Sequence, residues 1–154
     1  IMYDAGTRFH SAGILGGGAA ACLQAGDSAA ARSALDLAVM FQDASGERFW
    51  EPELARLAGE AHLASDETDA CVAEEHFHDA LKSAQAQGVK SFELRAAMSL
   101  ARLWQSQGRQ QEAFELLKPV YEWFTEGLDT DDLREAGSLL TKLRQDDSSA
   151  AASS

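Results

Sequence analysis

The sequence contains few of the residues that interrupt helices or favour sheets. It has only two prolines in 154 residues, and β-branched residues are sparse. Alanine, leucine, glutamate, glutamine and arginine dominate, and these residues favour helices, so we expect a mostly helical chain. No apolar run approaches the roughly 18 residues that a membrane-spanning helix needs, and no charged-then-apolar leader pattern is present.

Basic residues and cysteines are also scarce. Thirteen lysines and arginines stand against 25 aspartates and glutamates, which gives a formal net charge of −12. Such an acidic surface repels nucleic-acid phosphates and anionic lipid headgroups, so we expect neither a nucleic-acid nor a membrane partner. Cys22 and Cys71 lie within helical patterns and are predicted to be reduced core thiols. Together these features favour a cytoplasmic location.

No arrangement of residues indicates catalysis. The glycines of "GILGGG" (13–18) are not followed by the lysine of a phosphate-binding loop, and no strand precedes them. His76 and His78 are two residues apart, so on a helix they point in nearly opposite directions on either side of Phe77. No nucleophile elbow is present. We therefore predict no enzyme activity, no metal site and no cofactor.

The segment "SLARLWQSQGRQQEAFELL" (99–117) has apolar residues at helical spacing on both sides of Gly108. The two apolar faces consist of Ala97, Leu100, Ala101 and Trp104 before the glycine, and of Ala113, Leu117 and Val120 after it. Glycine favours a helix end because it adopts left-handed backbone angles at little cost. The segment therefore predicts two antiparallel helices joined by a tight turn.

The same hairpin pattern occurs twice upstream. The middle copy consists of Ala55, Ala58, Gly59 and His62, then Ala73, Phe77 and Ala80. The first copy consists of Leu15, Gly18, Ala19 and Cys22, then Ala31, Leu35 and Ala38. The intervals from Ala31 to Gly59 and from Ala73 to Ala101 are both 28 residues. A period of 40 to 42 residues predicts an array of helical hairpins.

The predicted boundaries follow from these patterns. We expect a domain over 1–145, with hairpins at about 8–44, 48–87 and 91–126, a capping helix at about 131–145, and a disordered polar tail at 146–154. The helices are expected near 8–25, 28–44, 48–65, 70–87, 91–107, 110–126 and 131–145. Pro52 suits the first turn of a helix, and Ser91 and Thr130 are expected N-caps. Pro119 is expected to kink its helix.

This pattern resembles the tetratricopeptide repeat, in which W-x2-L-G-x2-Y is followed by A-x3-F and then proline. Trp104 occupies the aromatic position in the third unit, where His62 and Cys22 stand in the other two, and the closing proline is absent. The resemblance covers residues 12–125. It implies an all-α fold in which three hairpins stack as a right-handed superhelix and a last helix caps the end.

The C-terminal part has a narrower resemblance. The segments "GERFWEPELARLAGE", "KSFELRAAMSLARLWQSQG" and "LLKPVYEWFTEGLDTDDLREAGSLL" are similar to the repeat tails of large bacterial signalling ATPases, which often carry a class III adenylate or guanylate cyclase domain. This similarity spans about 46–143. It implies a regulatory module of a longer protein, and leaves open whether further repeats precede residue 1.

Stacked helical hairpins form extended binding surfaces on their concave side, which their first helices line. The residues expected there are Glu53, Arg56, Glu60, Arg95, Met98, Arg102 and Gln105. Arginine suits carboxylates and methionine suits apolar side chains, so the hypothesis is a groove for an acidic or C-terminal peptide. The alternative is that these arginines pair with Glu53, Glu60 or Glu93 as ordinary salt bridges.

Three functions are compatible with this pattern. The first is a protein-interaction module that binds a protein, a peptide or another domain of its own parent chain. The second is a small-molecule effector sensor that controls an attached ATPase or cyclase. The third is architecture alone, in which the small residues of "SAGILGGGAAA" pack against a neighbouring unit. A closed apolar pocket favours the sensor, whereas an open trough with arginines favours a peptide.

Overall fold

Seven α-helices make up the computed structural model, which describes residues 5–65 and 69–152, with the side chains of 5–10 and 150 excepted. The helices are α1 (Ala5–Gln24), α2 (Ser28–Ser45), α3 (Glu51–Leu63), α4 (Ala70–Gln87), α5 (Lys90–Ser106), α6 (Gln110–Glu122) and α7 (Asp131–Ala152). The described residues contain no strand. The predicted all-α class is therefore confirmed.

Consecutive helices pack against each other as hairpins, α1 with α2, α3 with α4, and α5 with α6. Each following first helix contacts both helices of the preceding hairpin: α3 contacts α1 and α2, α5 contacts α3 and α4, and α7 contacts α5 and α6. The same packing scheme thus occurs three times along the chain. It places α1, α3, α5 and α7 side by side.

Short turns close the first and third hairpins at the glycines expected there. Gly26 and Gly108 have φ angles of 80° and 79°, in the left-handed region that glycine tolerates best. Asp27 caps α2 by accepting a hydrogen bond from the Ala30 amide at 2.9 Å. Asp69 caps α4 in the same way through the Cys71 amide. Pro52 lies in the first turn of α3, as predicted.

The matched small and large positions lie in the core. Ala19 and Ala101 are fully buried, and Gly59 packs so closely against Phe77 that an added Cβ would lie 2.5 Å from the ring. The larger partners on the second helices are Leu35, Phe77 and Leu117, all buried. The three apolar clusters of the core therefore form around the positions that the periodicity singled out.

Two local predictions were wrong. Helix α5 begins at Lys90 after an N-cap at Val89, so Ser91 lies inside the helix and does not cap it. Cys71 is exposed on the surface of α4, although both cysteines are free as predicted. Cys71 sits two residues before the buried Ala73, and that spacing turns it away from the core face.

The last helix is longer than predicted. Helix α7 continues through Ala152, so residues 146–152 are helical rather than a separate tail. The physical reason is composition: no glycine or proline follows the predicted end, and alanine has the highest helix propensity. The Ser148 hydroxyl also donates to the Arg144 carbonyl at 3.1 Å, which satisfies it within the helix.

Candidate functional site

Most of the predicted binding residues form a connected polar surface on α3 and α5, which continues onto α7. We call this surface the first-helix face. Its predicted members are Glu53, Arg56, Glu60, Arg95, Arg102 and Gln105. Met98 does not belong to it: only 3% of Met98 is exposed, and it packs in the core between α5 and its neighbours. The prediction that Met98 lines a groove was wrong, because its side chain is buried in an apolar cluster that includes Leu133 and Ala136 of α7.

Arg56 is the centre of the network between α3 and α5. Its Nε and Nη2 donate to the two carboxylate oxygens of Glu53 at 2.9 and 2.8 Å. Its Nη1 donates to the Ser99 hydroxyl at 3.3 Å, and that hydroxyl donates to Glu60 at 2.8 Å. Burial alone lowers the pKa of the Arg56 guanidinium, but the bonds to Glu53 and the negative charges around it together outweigh burial and raise this pKa above the ordinary value.

Arg95 extends the network to α7. Its Nη1 donates to Glu53 Oε1 at 3.3 Å and its Nε donates to Asp132 Oδ2 at 2.8 Å. Burial lowers the pKa of Arg95, but the hydrogen bond to Asp132 and the negative charges of Glu53 and Asp132 together outweigh burial and raise this pKa. The alternative prediction of salt bridges is thus seen at Arg56 and Arg95, although Glu93 pairs with Lys90 instead, at 2.7 Å.

Arg102 and Gln105 also reach across to α7. Arg102 Nη2 donates to Glu135 Oε2 at 2.9 Å, and Gln105 Nε2 donates to Asp146 Oδ2 at 3.0 Å. Both members of the Arg102–Glu135 pair are largely exposed to solvent. An exposed pair of this kind contributes roughly 0–1 kcal/mol. Among the arginines of the first-helix face, Arg102 is therefore the one whose partner can be replaced with the smallest loss of stability.

Two shallow depressions of about 350 Å³ adjoin Arg102. The first lies between α1, α3 and α5, and its lining residues are Ala20, Leu23, Gln24, Arg56, Leu57, Glu60 and Arg102. The second lies between α5 and α7, and its lining residues are Arg102, Gln105, Arg134, Glu135, Ser138, Leu139 and Lys142. The second depression places three cationic side chains around one carboxylate in a chain of net charge −12.

The cationic residues of α7 were missed by the sequence analysis. Arg134, Ser138 and Lys142 are spaced four residues apart, so they share one helix face. That spacing predicts a cationic face on α7, but it indicates a binding site only if α7 lies beside α5. The sequence analysis treated α7 as a cap over the end of the last hairpin and assigned it no binding residues.

A second polar cluster joins α4, α5 and the turn before α6. Glu74 Oε1 accepts from Trp104 Nε1 at 2.7 Å and from Arg109 Nη1 at 3.2 Å. The Arg109 guanidinium also lies over the Trp104 ring, 4.5 Å from its centroid. Burial raises the pKa of Glu74, but the bonds from Trp104 and Arg109 outweigh it and lower this pKa below the ordinary value. These contacts hold neighbouring helices together.

The three histidines whose side chains the structure describes do not assemble a metal site. His76 is half-buried and His78 exposed on either side of the buried Phe77, and His62 Nδ1 lies 3.4 Å from Arg32 Nη2. The side chain of His10 lies outside the described residues. Within the described residues, no group of three or more histidine, cysteine, aspartate or glutamate side chains is placed to hold a metal ion.

Comparisons of the chain with family models, with curated proteins and with solved structures find no significant match. Among the described residues, no helix combines the length and the apolar character required to cross a membrane.

Proposed function

We propose that the chain is a non-catalytic protein-interaction module, in which tetratricopeptide-like hairpins stack as a superhelix and the first-helix face forms its concave groove. The repeated packing of each first helix on the preceding hairpin supports this proposal. Four helices side by side present a surface long enough for an extended segment. In this proposal the partner is an acidic peptide or a neighbouring domain of a longer bacterial signalling protein.

The second depression is the observation that carries the proposal. Arg102, Arg134 and Lys142 surround Glu135 there, so the depression is locally cationic on an acidic protein. A carboxylate of a peptide can replace Glu135 beside Arg102, because both partners of that pair are exposed and it contributes little to stability. The fork of an arginine guanidinium also binds a carboxylate through two parallel hydrogen bonds.

The alternative function, a small-molecule effector sensor, requires an enclosed pocket with apolar walls. The two depressions beside Arg102 are shallow, and charged or polar side chains supply more than half of their lining. Their chemistry suits an extended polar ligand better than a compact apolar one. It therefore supports the peptide over the effector.

A displayed library of random peptides, selected on the immobilised chain, tests this proposal. We expect enrichment of peptides rich in aspartate and glutamate. The selected peptides should bind the Arg102→Glu variant roughly tenfold or more weakly than the unmodified chain, because the substitution places a carboxylate against a carboxylate. Fluorescence anisotropy of the labelled peptide measures this difference.

Arg48→Glu is the matched control. Arg48 lies before α3, away from the first-helix face, and its side chain forms an ion pair with the exposed Asp43 at 3.3 Å. The same change of charge there should alter affinity by less than about twofold, since it acts only through screened, long-range charge. Selected peptides without acidic enrichment, or equal losses in both variants, would contradict the proposal.

A further inference from the structure

Helix α2 carries a second apolar stripe besides the one that faces the core. Its core stripe consists of Ala31, Leu35, Ala38 and Gln42, all buried. The second stripe consists of Ala30, Ser33, Ala34, Leu37, Met40, Phe41 and Ala44, also at helical spacing and without a charge. In this stripe Leu37 is 47% exposed and Met40 65%. Large apolar side chains exposed together mark an interaction surface.

The repeat itself does not require this stripe. The positions 42 residues later on α4 are Val72, Glu75, His76, Asp79, Lys82, Ser83 and Ala86. Four of these, Asp79, Lys82, Ser83 and Ala86, line an open depression of about 690 Å³ beside α3. The equivalent flank of the second hairpin therefore stays in water, although another hairpin precedes it. A further hairpin stacked in register would leave the α2 stripe uncovered too.

Helix α1 adds an uncharged surface to the stripe. Residues 11–26 contain no aspartate, glutamate, lysine or arginine. The exposed residues of this segment include Ile14, Gly17, Gly18 and Ala21. They stand 40 residues before Leu54, Leu57, Ala58 and Ala61, which pack α3 onto the first hairpin. Helix α1 thus presents to water the face that its equivalent, α3, uses as an interface.

Both apolar surfaces lie on the side of the first hairpin that faces away from α3. On α1, an added Cβ at Gly16 would lie 3.2 Å from Leu54 of α3, and Ile14 points about 160° away from Gly16. On α2, Arg32 reaches Ser65 just after α3, and Phe41 points about 180° away from Arg32. We call this combined surface the α1–α2 outer face.

We propose that the α1–α2 outer face binds a second copy of this chain around a two-fold axis. The occupant must cover α1 and α2 together, and a second α1–α2 pair does so as a four-helix contact. Charge favours this face as well. Two chains of net charge −12 repel each other, but the outer face brings together the uncharged stripe of α2 and the uncharged segment 11–26, which keeps like charges out of the centre of the contact.

Sedimentation velocity over a range of protein concentrations tests this proposal. We expect the unmodified chain to pass from the mass of one chain to the mass of two as its concentration rises. Met40→Glu and Ile14→Glu should each raise the dimer dissociation constant at least about tenfold, since each buries a charge between two apolar faces. Both side chains are largely exposed in one chain, so each variant should keep its fold and, at protein concentrations too low for association, its melting temperature.

Lys82→Glu is the matched control, because Lys82 occupies on α4 the position of Met40 on α2. It should leave the dimer dissociation constant within about twofold of the unmodified value. A single-chain mass at every concentration would overturn the proposal. It would also be overturned by a dimer that both outer-face variants leave intact, or by one that only Ile14→Glu weakens, because the latter indicates contact through α1 alone.

Discussion

The first and second hairpins share one packing scheme, but different residues fill the point where their two helices come closest. In the first hairpin Ala19 lies opposite Leu35, and in the second Gly59 lies opposite Phe77. The larger ring stands opposite the smaller residue, because helices at this distance leave a limited volume for both side chains. The scheme is therefore preserved by the paired volumes rather than by any single residue.

The same two hairpins differ more strongly where their first helices face the next hairpin. Where α3 carries Glu53, Arg56 and Glu60, the equivalent positions of α1 are Gly13, Gly16 and Ala20. The first hairpin thus contributes no charge to the polar network of the first-helix face. Its exposed surface is apolar instead, on the side away from α3. Packing constrains the inner positions of both hairpins equally, so the difference between them must reflect what each surface contacts.

The largest effect is expected from breaking the polar network that only the later hairpins possess. Arg56→Ala should reduce the free energy of unfolding by about 2–4 kcal/mol, because it leaves the mostly buried Glu53 without its two-pronged partner. Urea denaturation measures this loss. Arg48→Ala, which removes an arginine from an exposed pair, should cost less than about 1 kcal/mol. Equal losses would show that the network contributes no more than a surface ion pair.

A smaller, pH-dependent effect is expected at Glu74, whose equivalent in the first hairpin is Arg32. The folded state holds the pKa of Glu74 below its ordinary value of 4.5. The ionised carboxylate therefore stabilises the fold above pH 4.5, and this contribution is lost as pH falls through the lower, folded-state pKa. Glu74→Gln should cost about 1–2 kcal/mol at pH 7 and progressively less in acid.

Thermal denaturation of the unmodified chain and of the Glu74→Gln variant between pH 3 and pH 7 measures how their stabilities approach each other in acid. Glu75→Gln is the control, since Glu75 is exposed on the same helix and its substitution removes the same charge. If the difference in stability between Glu74→Gln and the unmodified chain stayed constant across that range, it would contradict the claim that folding lowers the pKa of Glu74.

The smallest effect is expected from glycine replacement in the first hairpin. Gly17 lies inside α1, and an added Cβ there would meet nothing within 4 Å. Gly17→Ala should raise the free energy of unfolding by about 0.5–1 kcal/mol, because alanine loses less backbone entropy in a helix. Chemical denaturation at low protein concentration separates this gain from any association through the outer face. A loss of stability would mean that the space around Gly17 in α1 is not open.

The helices were predictable from sequence because their periodicity and their turn glycines are local signals. Gly26 and Gly108 mark turns that the structure contains, and the buried faces follow the spacing of apolar residues. The partners of the arginines were only partly predictable. Glu53 lies one helical turn from Arg56, which a spacing rule detects. Asp132 lies 37 residues from Arg95, so their pairing depends on how α7 packs beside α5.

The burial of Met98 also depended on helix packing that the sequence does not show. Its position between Arg95 and Arg102 placed it on the predicted groove by helical geometry alone. Helix α5 contacts four other helices, α3, α4, α6 and α7, and ten of its residues are buried. Sequence periodicity identifies one apolar face of a helix, but it does not reveal how many neighbours cover that helix.

A double-mutant cycle at positions 59 and 77 tests the matching of volumes most directly. Gly59→Ala should cost about 1–3 kcal/mol, because its Cβ meets Phe77, and Phe77→Leu should cost about 1–2 kcal/mol through the space it leaves. The double variant recreates the alanine and leucine of the first hairpin. Its loss, measured by urea denaturation, should be smaller than the summed single losses by about 1–2 kcal/mol. Strictly additive losses would contradict the claim that paired volumes hold the hairpins in one scheme.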